Sequence, residues 1–289
     1  MIRFFYRKMR GCAKRLGRAM KKKVPVYIPV LHSDLLQGRA AFITGGTRGI
    51  GFEIAKAFLA SGAKVVITGR SQEGVTKAVA HLSEAEGCRG KVFGIALDNA
   101  NCDALEGGFM QAVGFCDKID ILVNNAGIMK GGGFGNVSAQ DFGAVLDVNL
   151  TGAYMMSQIA AVYMKENKIE GNILNICSTS SRRPAVSPYT ISKWGLKGLT
   201  VGLAKVLIPY GIVVNGLAPG PVNTELLVHD GYDGLELAVN PNGRFATAAE
   251  IANLAVVLTS SLGRLVVGDI LYAGGGAAVT TLDDMGYGF

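Results

Sequence analysis

The chain has 289 residues, 49% hydrophobic and 18% charged, which excludes an intrinsically disordered polymer and suffices for a substantial core. Its 40 glycines follow no fixed period, which excludes collagen-like chains and repeat arrays. The net charge of +7 sits at one end: residues 1–23 hold ten Lys or Arg and no acid. The rest of the chain is mildly acidic, so a nucleic-acid role ranks last among the functions the total charge suggests.

Within that leader, Ile2, Phe5, Met9, Cys12, Leu16 and Met20 recur at helical spacing opposite Arg3, Arg7, Arg10, Lys14 and Arg18. A basic amphipathic helix of this kind suits an anionic membrane surface or a targeting signal. A solvated basic tail is the more common outcome and the preferred reading. No apolar run approaches the ~20 residues needed to span a bilayer. Residues 24–34, with two prolines in VPVYIPV, read as an extended connector, and the folded domain is expected over 35–276, followed by a tail over 277–289. Five cysteines without a C-x-x-C pair and only three histidines argue for reduced thiols and against a structural metal site. A cytoplasmic location, with peripheral membrane contact through residues 1–23 as an option, follows from these features.

From Arg39 onward, seven short apolar runs read as strands: AAFITGG, KVVITGR, KVFGIAL, IDILVNNAG, NILNICS, GIVVNGLAP and GDILYAGG. The stretches between them, such as 51–61 and 187–210, have the length and composition of crossover helices. This alternation predicts an α/β fold, a single Rossmann-type doubly wound sheet of seven mainly parallel strands with helices on both faces. Ligands in such sheets bind beyond the carboxyl ends of the strands.

The first run leads straight into GGTRGIG and an amphipathic helix. Gly45, Gly49 and Gly51 permit a tight turn, close approach of a diphosphate and tight helix packing, and the helix N-terminus offers free N–H donors to the anion. A carboxylate for the adenosine ribose is expected roughly 20 residues further on. Gly69 stands there instead, followed by Arg70, and Arg48 adds a second cation inside the loop. That combination favours a 2′-phosphate and therefore NADP(H) over NAD(H). The competing reading leaves both arginines solvated and gives the ribose to Glu73.

Tyr189 and Lys193 lie four residues apart, on one face of a helix. A phenol ordinarily titrates near ~10, and a neighbouring cation favours its anionic form, which makes it a usable acid/base.

The motif T-G-x-x-x-G-x-G, carried by Thr44, Gly45, Gly49 and Gly51, resembles the short-chain dehydrogenase/reductase family. So do NNAG at 124–127, Asn149 in DVNL, Tyr189 with Lys193, and PGPVNT at 219–224. The resemblance covers about residues 35–276 and is nearest in kind to the 3-oxoacyl-carrier-protein reductase branch. It implies a carbonyl reductase or alcohol dehydrogenase acting on a small carbonyl or alcohol substrate, with Tyr189 as acid/base, Lys193 and Ser178 beside it, and Asn149 holding a water. It also implies cofactor contacts from Gly45, Thr47, Arg48, Gly49, Ile50, Gly51, Arg70, Asp98, Asn99, Asn125, Ala126, Gly127, Tyr189, Lys193, Pro219, Gly220, Val222 and Thr224. A homotetramer or dimer built through the helix of Tyr189 and its neighbour follows from the same resemblance, as does the absence of any need for a metal.

Two departures bear on the serine. Ser178 precedes Tyr189 by 11 positions, tighter than the family's usual gap, so Ser180 or Ser181 is a less favoured substitute. Cys177 replaces a common serine and reads as a small buried hydrophobe. Residues 221–244, rich in Gly, Asp and Asn, read as a mobile lid. Arg182 and Arg183 read as surface arginines, with an anionic substrate as the alternative. Two rival functions remain: an epimerase or dehydratase using nicotinamide internally, and a non-catalytic dinucleotide-binding module attached to a membrane.

Overall fold

The computed structural model describes residues 34–85, 87–224 and 235–278. The basic leader, nearly all of the connector, most of the C-terminal tail and the centre of the expected lid lie outside the described residues.

All seven expected strands form. They are β1 (Ala40–Ile43), β2 (Lys64–Gly69), β3 (Val92–Ala96), β4 (Ile121–Asn124), β5 (Asn172–Ile176), β6 (Val213–Pro219) and β7 (Ile270–Ala273). They make one sheet in the order β3-β2-β1-β4-β5-β6-β7, and every pairing is parallel. The chain winds outward from β1 to β3, then crosses back to β4 on the other side of β1. This reversal places a topological switch point between β1 and β4, where α/β sheets bind ligands.

Seven helices connect the strands: α1 (Gly49–Ala60), α2 (Gln72–Ser83), α3 (Cys102–Cys116), α4 (Ala139–Leu146), α5 (Gly152–Glu166), α6 (Pro188–Leu207) and α7 (Ala248–Thr259). Strand side chains alternate between two covered faces, as the pleat requires. Ala41, Ile43, Val65, Ile67, Ile121 and Val123 share a core with residues of α1, α2 and α7, including Ile54, Leu82 and Ile251. Ala40, Phe42, Val66 and Leu122 face the opposite way, against Phe109 of α3, Met156 of α5 and Leu207 of α6. Burial on both faces explains why these strands read as continuous apolar runs rather than as alternating ones.

Local chemistry fixes the start of α6. Pro188 occupies the first turn, Ser187 Oγ accepts the Thr190 amide at 3.2 Å, and Thr190 Oγ1 accepts the Ser187 amide at 3.1 Å. This reciprocal cap satisfies donors the helix itself cannot. Between α4 and α5 the chain widens into a π-turn over Asp147–Thr151, an irregularity that often accompanies function. At the sheet's opposite end, buried Asp120 accepts from Arg39 Nε and pairs with Lys118 Nζ at 3.0 Å.

Candidate active site

A cavity of about 1320 Å³ opens at the carboxyl ends of the strands, on the side the winding predicts. Every proposed cofactor residue lines it except Gly51, and Ser178, Tyr189 and Lys193 line it as well. Gly51 and Asn149 work from behind the wall.

The glycine loop is built for close approach. Gly45 and Gly49 have φ of +64° and +57°, which side chains other than hydrogen rarely tolerate. A Cβ on Gly45 would sit 2.9 Å from the Ala126 Cα, and one on Gly51 would overlap Asn125 Nδ2 and the Gly45 carbonyl. The loop therefore presents bare backbone on one side and packs tightly against NNAG on the other. Asn125 Nδ2 donates to the carbonyls of Thr44 and Gly45, at 3.0 and 2.9 Å. Thr44 Oγ1 accepts the amides of Asn125 and Ala126, each at 3.0 Å. Thr68 Oγ1, for which the sequence carries no signal beyond a β-branched strand residue, accepts the Gly45 amide at 3.3 Å.

At the end of β2 the cavity wall is basic: Arg48, Arg70 and Lys77 line it beside His81, and Asp98 is the one carboxylate among the described lining residues. A Cβ at Gly69 would come within 2.5 Å of Thr47 Cγ2, so the missing carboxylate also has little room. Glu73 does not line the cavity. It pairs with Lys77 at 2.6 Å on the exposed face of α2 instead. The Asp98 carboxylate accepts the Ala100 amide at 3.0 Å, while Asn99 Nδ2 donates to the Val148 carbonyl at 2.7 Å. Asn99 Oδ1, buried beside the cavity, has no partner among the described residues.

At the other end, the first turns of α6 bring the candidate catalytic side chains together. Lys193 is 4% exposed; its Nζ lies 5.7 Å from the centre of the Tyr189 ring and donates to the Ile176 carbonyl at 2.7 Å. Asn149, in the π-turn, uses both amide protons, one on the Ile128 carbonyl and one on Ser192 Oγ, each at 3.0 Å. Its Oδ1 accepts the Ile128 amide at 2.8 Å, so the side chain ties the π-turn to α6 and to the NNAG loop.

Ser178 caps the 3₁₀ turn Thr179–Arg182, its Oγ accepting the Ser180 amide at 3.1 Å. This compact turn accounts for the short gap to Tyr189. Ser181 is no substitute: it is fully buried, bonded to the Ser178 carbonyl and 3.2 Å from Tyr272 Oη. Cys177 is buried, and burial pushes its thiol up to about 11, so it behaves as the small apolar residue expected. None of the four described cysteines forms a disulfide.

Of the two arginines, Arg182 stacks 3.8 Å above the Tyr272 ring and does not line the cavity, whereas Arg183 does. The pair read alike in sequence, and the fold separates them. In the expected lid, Asn240 is buried and its Nδ2 donates to Asn242 Oδ1 at 2.7 Å and to the Arg244 carbonyl at 2.6 Å. The part of that segment over 235–244 is therefore a tied-down turn. Among the described residues there is no group of ligands able to hold a metal and no helix long and apolar enough to cross a membrane.

Comparison with known proteins agrees with this geometry. Residues 39–232 match the family model described as short chain dehydrogenase. The chain is 34% identical to the 3-oxoacyl-[acyl-carrier-protein] reductase of Aquifex aeolicus, covering 83% of this chain and 98% of that one. A short chain dehydrogenase from Burkholderia cenocepacia, solved in complex with NADP, superposes with a TM-score of 0.74 at 33% identity, covering 84% and 98% of the two chains. A 3-ketoacyl-(acyl-carrier-protein) reductase from Brucella melitensis, solved with NADH, superposes with a TM-score of 0.75 at 30% identity, covering 84% and 100%. With its strand order, its glycine loop and this extent of likeness, the chain belongs to the short-chain dehydrogenase/reductase family, as an enzyme resembling the 3-oxoacyl-carrier-protein reductase branch.

Proposed function

We propose that this chain is an NADP(H)-dependent oxidoreductase that interconverts a carbonyl and an alcohol, with Tyr189 as its acid/base. The observation that carries this is the placement of Tyr189, Lys193 and Ser178 on one cavity wall, continuous with the bare glycine loop. When bound, the nicotinamide supplies or accepts the hydride. Tyr189 Oη delivers the proton to the carbonyl oxygen in reduction and removes it in oxidation. Ser178 Oγ already accepts the Ser180 amide, which leaves its own proton to donate to the oxygen as charge develops there. Lys193 places its ammonium 5.7 Å from the centre of the Tyr189 ring, beside the reacting phenol. Because both amide protons of Asn149 are committed, its side chain positions α6, and any water it holds would meet its main-chain carbonyl.

The residues fit a dinucleotide. Gly45, Gly49 and Gly51 leave backbone room for the diphosphate, and Asn99 Oδ1 offers an unused acceptor near the adenine side. The solved relatives named above carry NADP in one case and NADH in the other, so the preference rests on this chain's own charges. Arg48 and Arg70 on the cavity wall, Gly69 in place of a carboxylate and Glu73 turned to Lys77 favour the extra phosphate. Oxidation of NADPH over a panel of ketones, with Tyr189→Phe as the control, tests the reading. A Tyr189→Phe enzyme with undiminished turnover would sink it.

The assembly we propose is a dimer or tetramer through α5 and α6. Ile191, Trp194 and Val201 form an exposed stripe on α6, and Tyr154 and Val162 are half-exposed on α5, more apolar surface than solvent favours. Light scattering of wild type and Val201→Glu would test it, a smaller particle being the expected result.

A further inference from the structure

We propose that Arg183 makes this enzyme selective for substrates that carry a carboxylate or similar anionic group a short distance from the reacting carbonyl; the proposal rests on the oxidoreductase reading above. The charges around the reacting end of the cavity are one-sided. Among the described residues lining it there, from Ile128 and Met129 across to Pro221, there is no carboxylate, and Lys193 and Arg183 are the cations. Lys193 already spends a donor on the Ile176 carbonyl and stands next to Tyr189. Arg183 is the cation left to meet substrate charge.

Arg183 is also held rather than waving. Its amide donates to the Ser180 carbonyl at 3.2 Å, its own carbonyl accepts Trp194 Nε1 at 2.8 Å, and its Nη2 donates to the Ala277 carbonyl at 3.0 Å. The first two contacts fix its backbone against the serine turn and α6, and the third ties its guanidinium to the segment after β7. A guanidinium has five N–H donors, and the Ala277 bond uses one of them, leaving a fork for a carboxylate. The Ala277 bond restrains the guanidinium before binding, which lowers the rotamer entropy lost when a carboxylate is met. Arg182, one residue earlier, provides the contrast: its guanidinium lies over the Tyr272 ring, off the cavity.

The test uses the full-length enzyme and matched pairs of short 2-oxo and 3-oxo acids with their methyl esters. NADPH oxidation is followed for wild type, Arg183→Gln, Arg183→Lys and Arg182→Gln, and the same acids are titrated calorimetrically into enzyme saturated with NADP⁺. A charged hydrogen-bonded partner is worth roughly tenfold to a hundredfold in kcat/KM. The expected result is a preference of that size for an acid over its ester in wild type. Arg183→Gln should abolish it through KM, Arg183→Lys should restore it in part, and Arg182→Gln should keep it. An acid-to-ester ratio equal in wild type and Arg183→Gln overturns the proposal, as does the failure of every acid to bind the NADP⁺ complex. Ester reduction that disappears in Tyr189→Phe while the acids gain nothing from Arg183 would leave the oxidoreductase reading standing and remove only this selectivity.

Discussion

The ammonium of Lys193 donates to the carbonyl of Ile176 at 2.7 Å, so the cation on α6 is anchored to the strand that ends two residues before Ser178. One hydrogen bond thus sets the spacing between the two sides of the reacting centre. Lys193→Met removes the charge and leaves a buried carbonyl without its donor. Loss of acid/base assistance is expected to lower kcat/KM by roughly 10²–10⁴-fold, and the orphaned acceptor to cost about 1–3 kcal/mol of stability. Steady-state NADPH oxidation and urea denaturation measure the two separately. Retained activity with lowered stability would assign Lys193 a purely structural part.

Cofactor choice is expected to follow Arg48 and Arg70. Replacing Arg70 by Asp should weaken NADPH binding by roughly tenfold to a hundredfold, the worth of a charge-assisted contact, while NADH binding is held or improved. Fluorescence titration with both dinucleotides reads this directly. Equal loss for the two would mean that Arg70 does not meet the 2′-phosphate.

Thiol reactivity should divide by burial. Desolvation raises Cys177 and Cys116 from the ordinary 9.0 to about 11, so both stay protonated at neutral pH and resist alkylation. The raised value favours the fold below about pH 9, and this contribution fades as pH climbs toward about 11, because the unfolded chain ionises first. Mass spectrometry after brief iodoacetamide treatment at pH 7.5 should find Cys102, the more exposed of the described cysteines, labelled ahead of these two. Cys177→Ala should keep its turnover, and a hundredfold loss would give the thiol a role in the chemistry.

Acid sensitivity should be traceable to the start of α7. Glu250 accepts the Thr247 amide at 2.9 Å and pairs with Arg244 at 2.6 Å. Its carboxyl is held below the usual range, first by the Arg244 hydrogen bond. A lowered carboxyl favours the fold above its ordinary value and stops doing so as pH falls through the folded one. Glu250→Gln is expected to cost about 1 kcal/mol at pH 7, because the pair is partly exposed to solvent and the cap survives in part. The deficit should shrink toward pH 3, as calorimetry would show; a constant deficit would point to packing instead.

At the far end of the sheet from the cavity, Asp120→Ala leaves Arg39 and Lys118 without their shared carboxylate. Asp120 is buried but Arg39 and Lys118 reach solvent, so the loss of their carboxylate is expected to cost about 1–3 kcal/mol. Denaturant midpoints should fall accordingly, with kcat unaffected at temperatures where the chain stays folded. A change in kcat without a change in midpoint would contradict the structural assignment.

The strands were legible because each is buried on both faces and reads as an unbroken apolar run; Phe42 and Ile43 point opposite ways, yet both must be apolar. The glycine loop and the Tyr189–Lys193 pair were legible because their chemistry is local, a few residues apart in one turn or helix. What stayed hidden depends on distant partners. Nothing in the sequence joins Asn99 to Val148, or Thr68 to Gly45. The buried chain in which Asn124 Nδ2 meets Asn175 Oδ1 at 2.8 Å and Asn175 Nδ2 meets Thr200 Oγ1 at 2.9 Å joins β4, β5 and α6, and none of its members announces the others. The π-turn at Asn149 likewise leaves no compositional mark. Arg182 and Arg183 could not be told apart before the turn that separates them was seen.

The strand order also dictates how the protein is made. The glycine loop and the Gly69–Arg70 end of β2 precede β4, whereas Ser178, Tyr189 and Lys193 all follow β5. During synthesis the proposed nucleotide-binding half therefore precedes the proposed catalytic residues, with the outer edge of β4 lacking its neighbour until Asn172 emerges. An unpaired backbone edge of that sort is a sticky intermediate. Early occupation of the glycine loop would give the nascent half a reason to wait in the right shape, and NADPH added during cell-free translation should raise the soluble yield.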